Sequence, residues 1–320
     1  MATITPVSGW ALDAIVALDE ACPGFAGRFL RASNERRQVI AAFLSNISAD
    51  HDAEGATGEY LGRANHRSIL AQAFEHVPDG FRRALAKSGA HPHDAAYYRD
   101  LYDALAFGHL HVVTAIMHVT WLNPERLEII NMLPADLCDC RIIERIKDLQ
   151  HARDLIAVID LFEERTGRRE GLVKALMASP APIESIVRRW CRQIKYAEFP
   201  IEESASYRPI RDGLALHEVA RRYRNCGRNY TATALLGESA FGEFIAEDGR
   251  RVLLCFDKSE GDWALDGVYA RRNRPVPDSL GAQAREFVYI HDIRDRWDSS
   301  QTGNDVARAL GRLLQPYSEW

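Results

Sequence analysis

The first part of the chain carries apolar residues at the spacing of α-helices. From Trp10 to about Phe199 the apolar positions recur every three or four residues, in short segments joined by short turns. In one of these segments Val39, Ile40 and Phe43 lie on the same side of a predicted helix. The pattern predicts an all-α array of short helices, and we find no fixed repeat period that would indicate a named solenoid family.

Two polar intervals interrupt this pattern. Residues Ser48 to Asn65 contain several aspartates and glycines, and we expect a loop there. In the interval Glu198–Asp212, proline, serine and charged residues replace the apolar periodicity, which predicts a domain boundary. The chain is therefore expected to contain an α-helical domain over residues 1–200 and a second domain over residues 205–320.

Beyond this boundary the spacing of apolar residues changes from helical to alternating. Phe241–Glu247, Arg251–Asp257 and Trp263–Ala270 are predicted to form three antiparallel strands joined by tight turns. In the middle strand both alternating sets of side chains are apolar, and Cys255 belongs to one of them, so we expect this strand to be buried on both faces. The predicted fold class is α+β overall: an N-terminal all-α helical array followed by a small α+β domain with an antiparallel β-meander.

Composition narrows the class of protein without identifying a function. The 320 residues are 47% hydrophobic and 27% charged, as in globular proteins. No apolar run approaches the roughly 20 residues that cross a bilayer, and the N-terminus lacks the basic start of a signal peptide. We therefore expect a cytoplasmic protein without membrane contact. The net charge of -5 argues against nucleic-acid binding over the whole surface but leaves room for a local basic face.

Metal and cofactor sites are not predicted. The 6 cysteines are scattered and do not suggest a disulfide framework. Cys138 and Cys140 would point about 200° apart on a helix, and no second cysteine pair accompanies them. The sequence also has no glycine-rich phosphate loop, no dinucleotide-binding motif and no GxSxG nucleophile elbow. We accordingly expect no metal and no cofactor.

The most distinctive local chemistry lies in Gly213–Tyr230. Its apolar residues predict one buried stripe of a helix, while His217, Arg221 and Arg224 fall on another side. Gly227 is expected to end this helix, because glycine can adopt a left-handed or otherwise strained conformation. The stretch therefore predicts an amphipathic helix that runs into a tight turn ringed by arginines.

Cys226 lies at this turn, and two interpretations of it stay open. The helix C-terminus disfavours a thiolate, whereas the neighbouring arginines favour one and would activate the thiol. In that case Cys226 would be a nucleophile, with His217 on the preceding helix as its base. In the other interpretation Cys226 is a small buried residue packed at a tight turn.

Arginines form three groups, and the last two stand before and after the predicted strands. The groups are Arg188/Arg189/Arg192, Arg221/Arg222/Arg224/Arg228 and Arg271/Arg272/Arg274. If the last two groups converge at one end of the sheet, they form a pocket able to hold phosphate or carboxylate through bidentate contacts. If they do not converge, each is an ordinary solvated surface residue. The candidate ligand-binding residues are Arg221, Arg224, Arg228, Tyr230, Arg271, Arg272, Asn273 and Arg274.

The order of residues in this region resembles the PcfJ-like domain, which occurs in bacterial proteins associated with plasmids, conjugation and phages. The resemblance covers roughly Asp212 to Val288 and rests on Leu214, Asn225-Cys226-Gly227-x-x-Tyr230, Gly237, the strand pair, Trp263, Gly267, Asn273 and Pro275. Asn225 and Gly227 stand where the family motif has histidine and valine. If that histidine serves as a base beside the thiol, His217 is the candidate to replace it.

Two functions stay open. The resemblance and the arginines favour a binding or adaptor protein of a bacterial mobile-element or phage-related system. Its helical domain would contact a protein partner, and its C-terminal pocket would hold an anionic small molecule or a nucleic-acid end. The alternative is a thiol-dependent enzyme, with Cys226 as nucleophile, His217 as base, and Asn273 or Asp266 as the orienting residue. Whether the protein is an enzyme is left open at this point.

Overall fold

The computed structural model describes residues 7–47, 54–259, 261–295 and 305–314. The chain divides into two units, Met1–Ala152 and Arg153–Trp320. The predicted boundary interval, Glu198–Asp212, lies inside the second unit. A domain division at that interval stays a prediction.

Short helices make up the described part of the first unit, as the apolar spacing predicts. Side-chain caps fix where several of them begin: Ser33, Asn65 and Asn123 each accept a hydrogen bond from a backbone N–H in the first turn. Pro124 occupies the first turn of its helix, where no N–H is needed. The helices are α1 (Trp10–Ala21), α2 (Phe25–Arg31), α3 (Asn34–Asn46), α4 (Glu54–Arg63), α5 (His66–Ala73), α6 (Phe81–Ala86), α7 (Ala95–Ala106), α8 (Leu110–His118), α9 (Pro124–Met132) and α10 (Cys140–Ile143).

A buried polar contact joins two of these helices. Tyr98 of α7 is fully buried, and its hydroxyl donates a 2.8 Å hydrogen bond to Oε1 of Gln38 in α3. The Gln38 amide donates in turn to the backbone carbonyl of His91 at 2.6 Å. Because these polar groups have partners, they can be buried in an otherwise apolar core.

The prediction of a loop at Ser48–Asn65 is wrong for the residues of this interval that the structure describes. Glu54–Arg63 form α4, while residues 48–53 lie outside the described residues. The glycines that suggested a loop instead permit close packing, because a Cβ on Gly58 would lie 2.6 Å from the Cβ of Cys22 at the end of α1. Tertiary packing thus outweighs the low intrinsic helix propensity of glycine.

The rest of the described chain contains further helices and the strands of one sheet. The helices are α11 (Leu149–Thr166), α12 (Arg169–Ala178), α13 (Ile183–Cys191), α14 (Gly213–Tyr223), α15 (Thr231–Leu236), α16 (Asp278–Ile290) and α17 (Asp305–Leu314). The strands are β1 (Tyr207–Pro209), β2 (Ser239–Ile245), β3 (Arg251–Ser259), β4 (Asp262–Tyr269) and β5 (Arg294–Asp295). Two short 3-10 helices, Gly227–Tyr230 and Arg271–Asn273, follow α14 and β4.

The five strands are ordered β1-β2-β3-β4-β5. Neighbours from β1 to β4 are antiparallel, and β5 runs parallel to β4, so the sheet is mixed. The predicted α+β class is confirmed, and β2, β3 and β4 form the expected antiparallel meander. The sequence pattern missed β1 and β5, because strands of three and two residues are too short to show an alternation.

Both faces of β3 are buried. Val252 and Leu254 pack in one apolar cluster with Leu280 of α16. Side chains alternate across a strand, so Cys255 lies on the opposite face, where it is only 3% exposed. The expectation that this strand is buried on both faces is therefore confirmed.

Candidate functional site

Helix α14 positions the first group of arginines. Asp212 caps it, because the Asp212 Oδ1 accepts a 2.7 Å hydrogen bond from the N–H of Ala215. The predicted apolar stripe is buried, so the side that carries His217 and the arginines faces outward. The first turn of α14 passes so close to α13 that a Cβ on Gly213 would lie 2.7 Å from the Cα of Arg192. Glycine is therefore required at the start of the helix.

Two consecutive residues at the end of α14 bind the sheet. The Tyr223 hydroxyl donates to Oε1 of Glu243 at 3.0 Å, and Arg222 Nη2 donates to Oε2 at 2.7 Å. Glu243 lies on β2 with a side chain that is 7% exposed, so the Arg222 charge compensates a carboxylate that would otherwise be buried alone. Burial is the largest cause that raises the pKa of Tyr223, so its hydroxyl keeps the proton that it donates.

The helix ends differently from the prediction. Arg224, not Gly227, adopts the left-handed conformation, with φ 52° and ψ 51°. The expectation that Gly227 ends the helix is therefore wrong. Asn225 Oδ1 accepts a 3.0 Å hydrogen bond from the N–H of Gly227, and the 3-10 helix begins there. A left-handed backbone costs a residue with a side chain about 1–2 kcal/mol, and such residues are concentrated at functional sites.

The outward side of α14 lines a cleft of about 720 Å³, which we call the α14 cleft. His217, Arg221 and Arg224 lie in it together, as their spacing on the helix predicts. The described residues that line it are Leu214, His217, Glu218, Ala220, Arg221, Arg224 and Asn225.

A second cleft, of about 450 Å³, lies at the turn after β4, and we call it the turn cleft. The 3-10 helix at this turn packs against α14, and two of its residues, Arg272 and Asn273, have left-handed backbones. Arg224 lines this cleft as well as the α14 cleft, so the two arginine groups meet at that side chain. The described lining residues are Arg224, Ala270, Arg271, Arg272, Arg274 and Pro275.

The lining of the two clefts is strongly basic. Five arginines and one glutamate, Glu218, line them in a chain whose net charge is -5. All five guanidinium groups belong to exposed residues, and within the described part of the chain none of them has a hydrogen-bond or ion-pair partner. Their donors are therefore available to an anion from solution.

Cys226 is exposed, so the interpretation that it is a small buried residue is wrong. Among the described residues that line the α14 cleft, His217 is present and Cys226 is not. The proposed nucleophile and its proposed base are thus not brought together in that cleft.

The remaining candidate residues are not among the described residues that line the clefts. Tyr230 packs edge-on against Phe241 of β2, with ring centroids 5.6 Å apart. Asn273 is exposed in the 3-10 helix after β4, beside the arginines of the turn cleft. The backbone of Arg228 lies in the 3-10 helix after α14, and its side chain lies outside the described part of the structure.

A second polar group lies on the face of the sheet that carries Cys255, and sequence analysis missed its arrangement. The pairing of β3 with β4 shifts between Cys255 and Phe256, which leaves Asp266 as a β-bulge. The Tyr269 hydroxyl donates to Oδ2 of Asp266 at 3.4 Å. The Tyr269 ring covers Gly267, where a Cβ would lie 2.7 Å from a ring carbon. Apolar alternation cannot reveal a bulge, so no sequence signal would have found this contact.

Burial controls the protonation of this second group. Burial and then the Asp266 carboxylate raise the pKa of Tyr269 to about 12. Burial, followed by the Asp257 and Asp266 carboxylates, raises the pKa of the Cys255 thiol. Burial also raises the pKa of Tyr230. The phenols and the buried thiol are therefore protonated at neutral pH.

No protein-family model, curated protein or solved structure matches the chain. The resemblance to the PcfJ-like domain stays a prediction that rests on the residues named for it. In the described residues no helix is long and apolar enough to cross a membrane. Those residues also contain no group of three or more histidine, cysteine, aspartate or glutamate side chains placed to hold a metal ion.

Proposed function

We propose that the protein binds an anionic ligand through the arginines of the α14 cleft and the turn cleft. The observation that carries this proposal is that Arg224 lines both clefts, so two groups of arginines that are distant in sequence form one basic surface. Guanidinium groups bind phosphate and carboxylate in a planar, two-point geometry, which makes arginine the suitable residue for such a ligand.

The clustering of unpaired arginines supports binding over simple surface charge, because single exposed arginines such as Arg208 and Arg251 also have no ion pair among the described residues. Elsewhere in the second unit Arg211, Arg250 and Arg285 form ion pairs with nearby carboxylates. The five cleft arginines are exposed and unpaired among the described residues. Like charges held close together repel one another, and an anion relieves that repulsion when it binds.

The wider role that we propose is that of a cytoplasmic binding or adaptor protein in a bacterial mobile-element or phage-related system. This part of the proposal rests on the PcfJ-like order of residues around Cys226 and Tyr230. The helices of the first unit would contact a protein partner, and the basic clefts would hold an anionic small molecule or a nucleic-acid end.

A thiol-dependent enzyme is the second candidate, and the exposure of Cys226 is the observation that favours it. Cys226 is not among the described residues that line the α14 cleft, where His217 lies. This arrangement argues against Cys226 and His217 as a nucleophile and its base. Iodoacetamide labelling of Cys226 as a function of pH tests the idea. An activated thiol reacts well below the pH of about 8.5 at which a free cysteine ionises, whereas labelling that follows a free thiol would reject an activated nucleophile.

Thermal unfolding in the presence of phosphate or sulfate tests the binding proposal. At constant ionic strength the anion should raise the melting temperature, because a ligand that binds only the folded state stabilises it. Arg221→Gln and Arg224→Gln should each abolish the increase. Arg250→Gln is the matched control: it removes the same charge from the hairpin turn outside both clefts, and it should retain the increase. An unchanged melting temperature in the wild type, or an equal loss in the control, would reject the proposal.

A further inference from the structure

The two clefts share one lining residue and have separate ends. Arg221 lines the α14 cleft, Arg272 lines the turn cleft, and Arg224 lines both. The contact between α14 and the 3-10 helix Arg271–Asn273 holds the two clefts next to each other. A ligand that contacts Arg221 and Arg272 together must therefore extend past Arg224.

The volumes indicate a ligand larger than one phosphate ion. Clefts of roughly 300–1,000 Å³ hold ligands of drug size, and the α14 cleft alone measures about 720 Å³. The turn cleft adds a further space of about 450 Å³ with three arginines that the first cleft lacks. One phosphate would leave most of the guanidinium groups without a partner.

The lining also indicates which part of the ligand is recognised. Within the described residues neither cleft is lined by phenylalanine, tyrosine or tryptophan. Proteins that hold single-stranded nucleic acid by its bases use such rings as stacking platforms. The apolar lining is limited to Leu214, two alanines and one proline. The clefts therefore suit a ligand that is bound through its anionic groups.

We infer that the α14 cleft and the turn cleft together bind a ligand with two or more linked phosphate groups, with Arg224 contacting the point at which they are linked. The inference rests on the proposed anion binding. Linking two phosphates makes the second contact intramolecular, which raises affinity by about 10²- to 10⁴-fold when both sites are engaged. Inorganic polyphosphates, the phosphates of a nucleotide and a nucleic-acid backbone share this chemistry.

Calorimetric titration at constant ionic strength tests the inference with inorganic phosphate, pyrophosphate, tripolyphosphate and citrate. We expect at least one of the two linked phosphates to bind at least about 10-fold more tightly than phosphate. Citrate is a multiply charged anion without phosphate, and it should bind more weakly than that linked phosphate. Equal affinity of citrate and the linked phosphates would overturn the assignment of phosphate.

Variants at the two ends separate a bridging ligand from a ligand in one cleft. In Arg221→Gln and Arg272→Gln the advantage of the linked phosphate over phosphate should fall to about 2-fold or less, because each variant removes a guanidinium that lines only one of the two clefts. Arg250→Gln should keep the full advantage. Melting curves without ligand establish that each variant is folded. Loss of the advantage in only one of the two cleft variants would overturn the bridging arrangement.

The outcomes distinguish this inference from the proposed function. If phosphate and the linked phosphates bind with equal affinity, the inference is wrong and the proposed anion binding stands. If no anion binds, both are wrong. Titration with ADP and with 5′-phosphorylated oligothymidylates of two to six nucleotides identifies the source of the linked phosphates. Tighter binding of ADP than of pyrophosphate indicates a nucleotide, affinity that rises with oligonucleotide length indicates a nucleic-acid backbone, and either result supports the inference.

Discussion

Arg221 and Arg222 are consecutive residues of α14 with opposite environments. Arg222 reaches the sheet and neutralises Glu243, whose side chain is almost fully buried. Arg221 faces outward into the α14 cleft, and its guanidinium group has no partner among the described residues. One step along a helix rotates a side chain by about 100°, which is enough to place one arginine on the sheet side and the next in the cleft. The comparison shows that the partner of an arginine, and not its presence in a basic stretch, indicates its role.

The largest expected effect concerns the sheet side of α14. Glu243→Ala should lower the free energy of unfolding by about 3 kcal/mol, because it leaves the buried Tyr223 hydroxyl without its acceptor and Arg222 without its carboxylate. Urea unfolding measures the change. Glu218→Ala, which removes an exposed carboxylate of the cleft side, is the control and should change stability by about 0.5 kcal/mol or less. Similar effects of the two substitutions would contradict the difference between the two sides.

The cysteines extend the comparison from α14 to the sheet. Cys255→Ser should lower the free energy of unfolding by about 2 kcal/mol, because it places a hydroxyl in a buried site on β3. Cys226→Ser, at an exposed position, should have almost no effect. Iodoacetamide should accordingly label Cys226 in the folded protein and Cys255 only after unfolding. Equal labelling of both thiols in the native state would show that the bulged face of the sheet is open.

The pH dependence of stability sharpens the same contrast. Burial and nearby carboxylates raise the pKa of the Cys255 thiol in the folded state above its ordinary value of about 8.5. At higher pH the unfolded chain loses this proton before the folded chain does, so stability falls as pH rises above about 8.5. Cys255→Ala should make that fall shallower by about 1 kcal/mol per pH unit. Val252→Ala, on the opposite face of β3, is the control. It should lower the free energy of unfolding but keep the wild-type slope of that free energy against pH. A shallower slope in this control would contradict the assignment of the pH dependence to the Cys255 thiol.

The smallest expected effect has opposite signs for stability and binding. Arg224→Gly should raise the free energy of unfolding by about 0.5–1 kcal/mol, because glycine adopts the left-handed conformation without strain. It should also abolish the increase in melting temperature caused by phosphate. Arg224→Ala is the matched control, since it removes the same guanidinium and keeps the backbone strain, so it should lose the phosphate effect without gaining stability. A phosphate effect that survives in both variants would exclude Arg224 from the site.

Sequence analysis predicted the features that depend on periodicity. The buried stripe of α14 and the two buried faces of β3 follow from apolar spacing, and both are found. The spacing of His217, Arg221 and Arg224 also predicted that they share one side of the helix. These features are local, because the period of a helix or a strand determines which residues face the same way.

The features that sequence analysis missed depend on tertiary packing. Helix α4 forms in a glycine-containing interval because Gly58 allows close contact with α1. Arg224 ends α14 directly after Tyr223, whose hydroxyl binds Glu243 of β2, and the position of the nearest glycine does not reveal this tertiary contact. Whether the two arginine groups meet depends on how α14 packs against the turn after β4, and no periodicity in the chain encodes that contact.

The two flanking strands of the sheet limit how the protein can associate with copies of itself. A long open sheet edge invites another strand to add to it, and natural proteins reduce that risk with short edge strands, proline and charged residues. The described sheet has such protection on both sides. On one side β1 has three residues and ends at Pro209, which has no N–H to offer. On the other side β5 consists of Arg294 and Asp295, both exposed, and Arg285 of α16 binds the Asp295 carboxylate at 2.9 Å. β1 covers the edge of β2 at residues 242–244, and β5 covers the edge of β4 at Ala264 and Leu265. These parts of the apolar strands are thereby shielded from intermolecular strand pairing and from the aggregation that follows it.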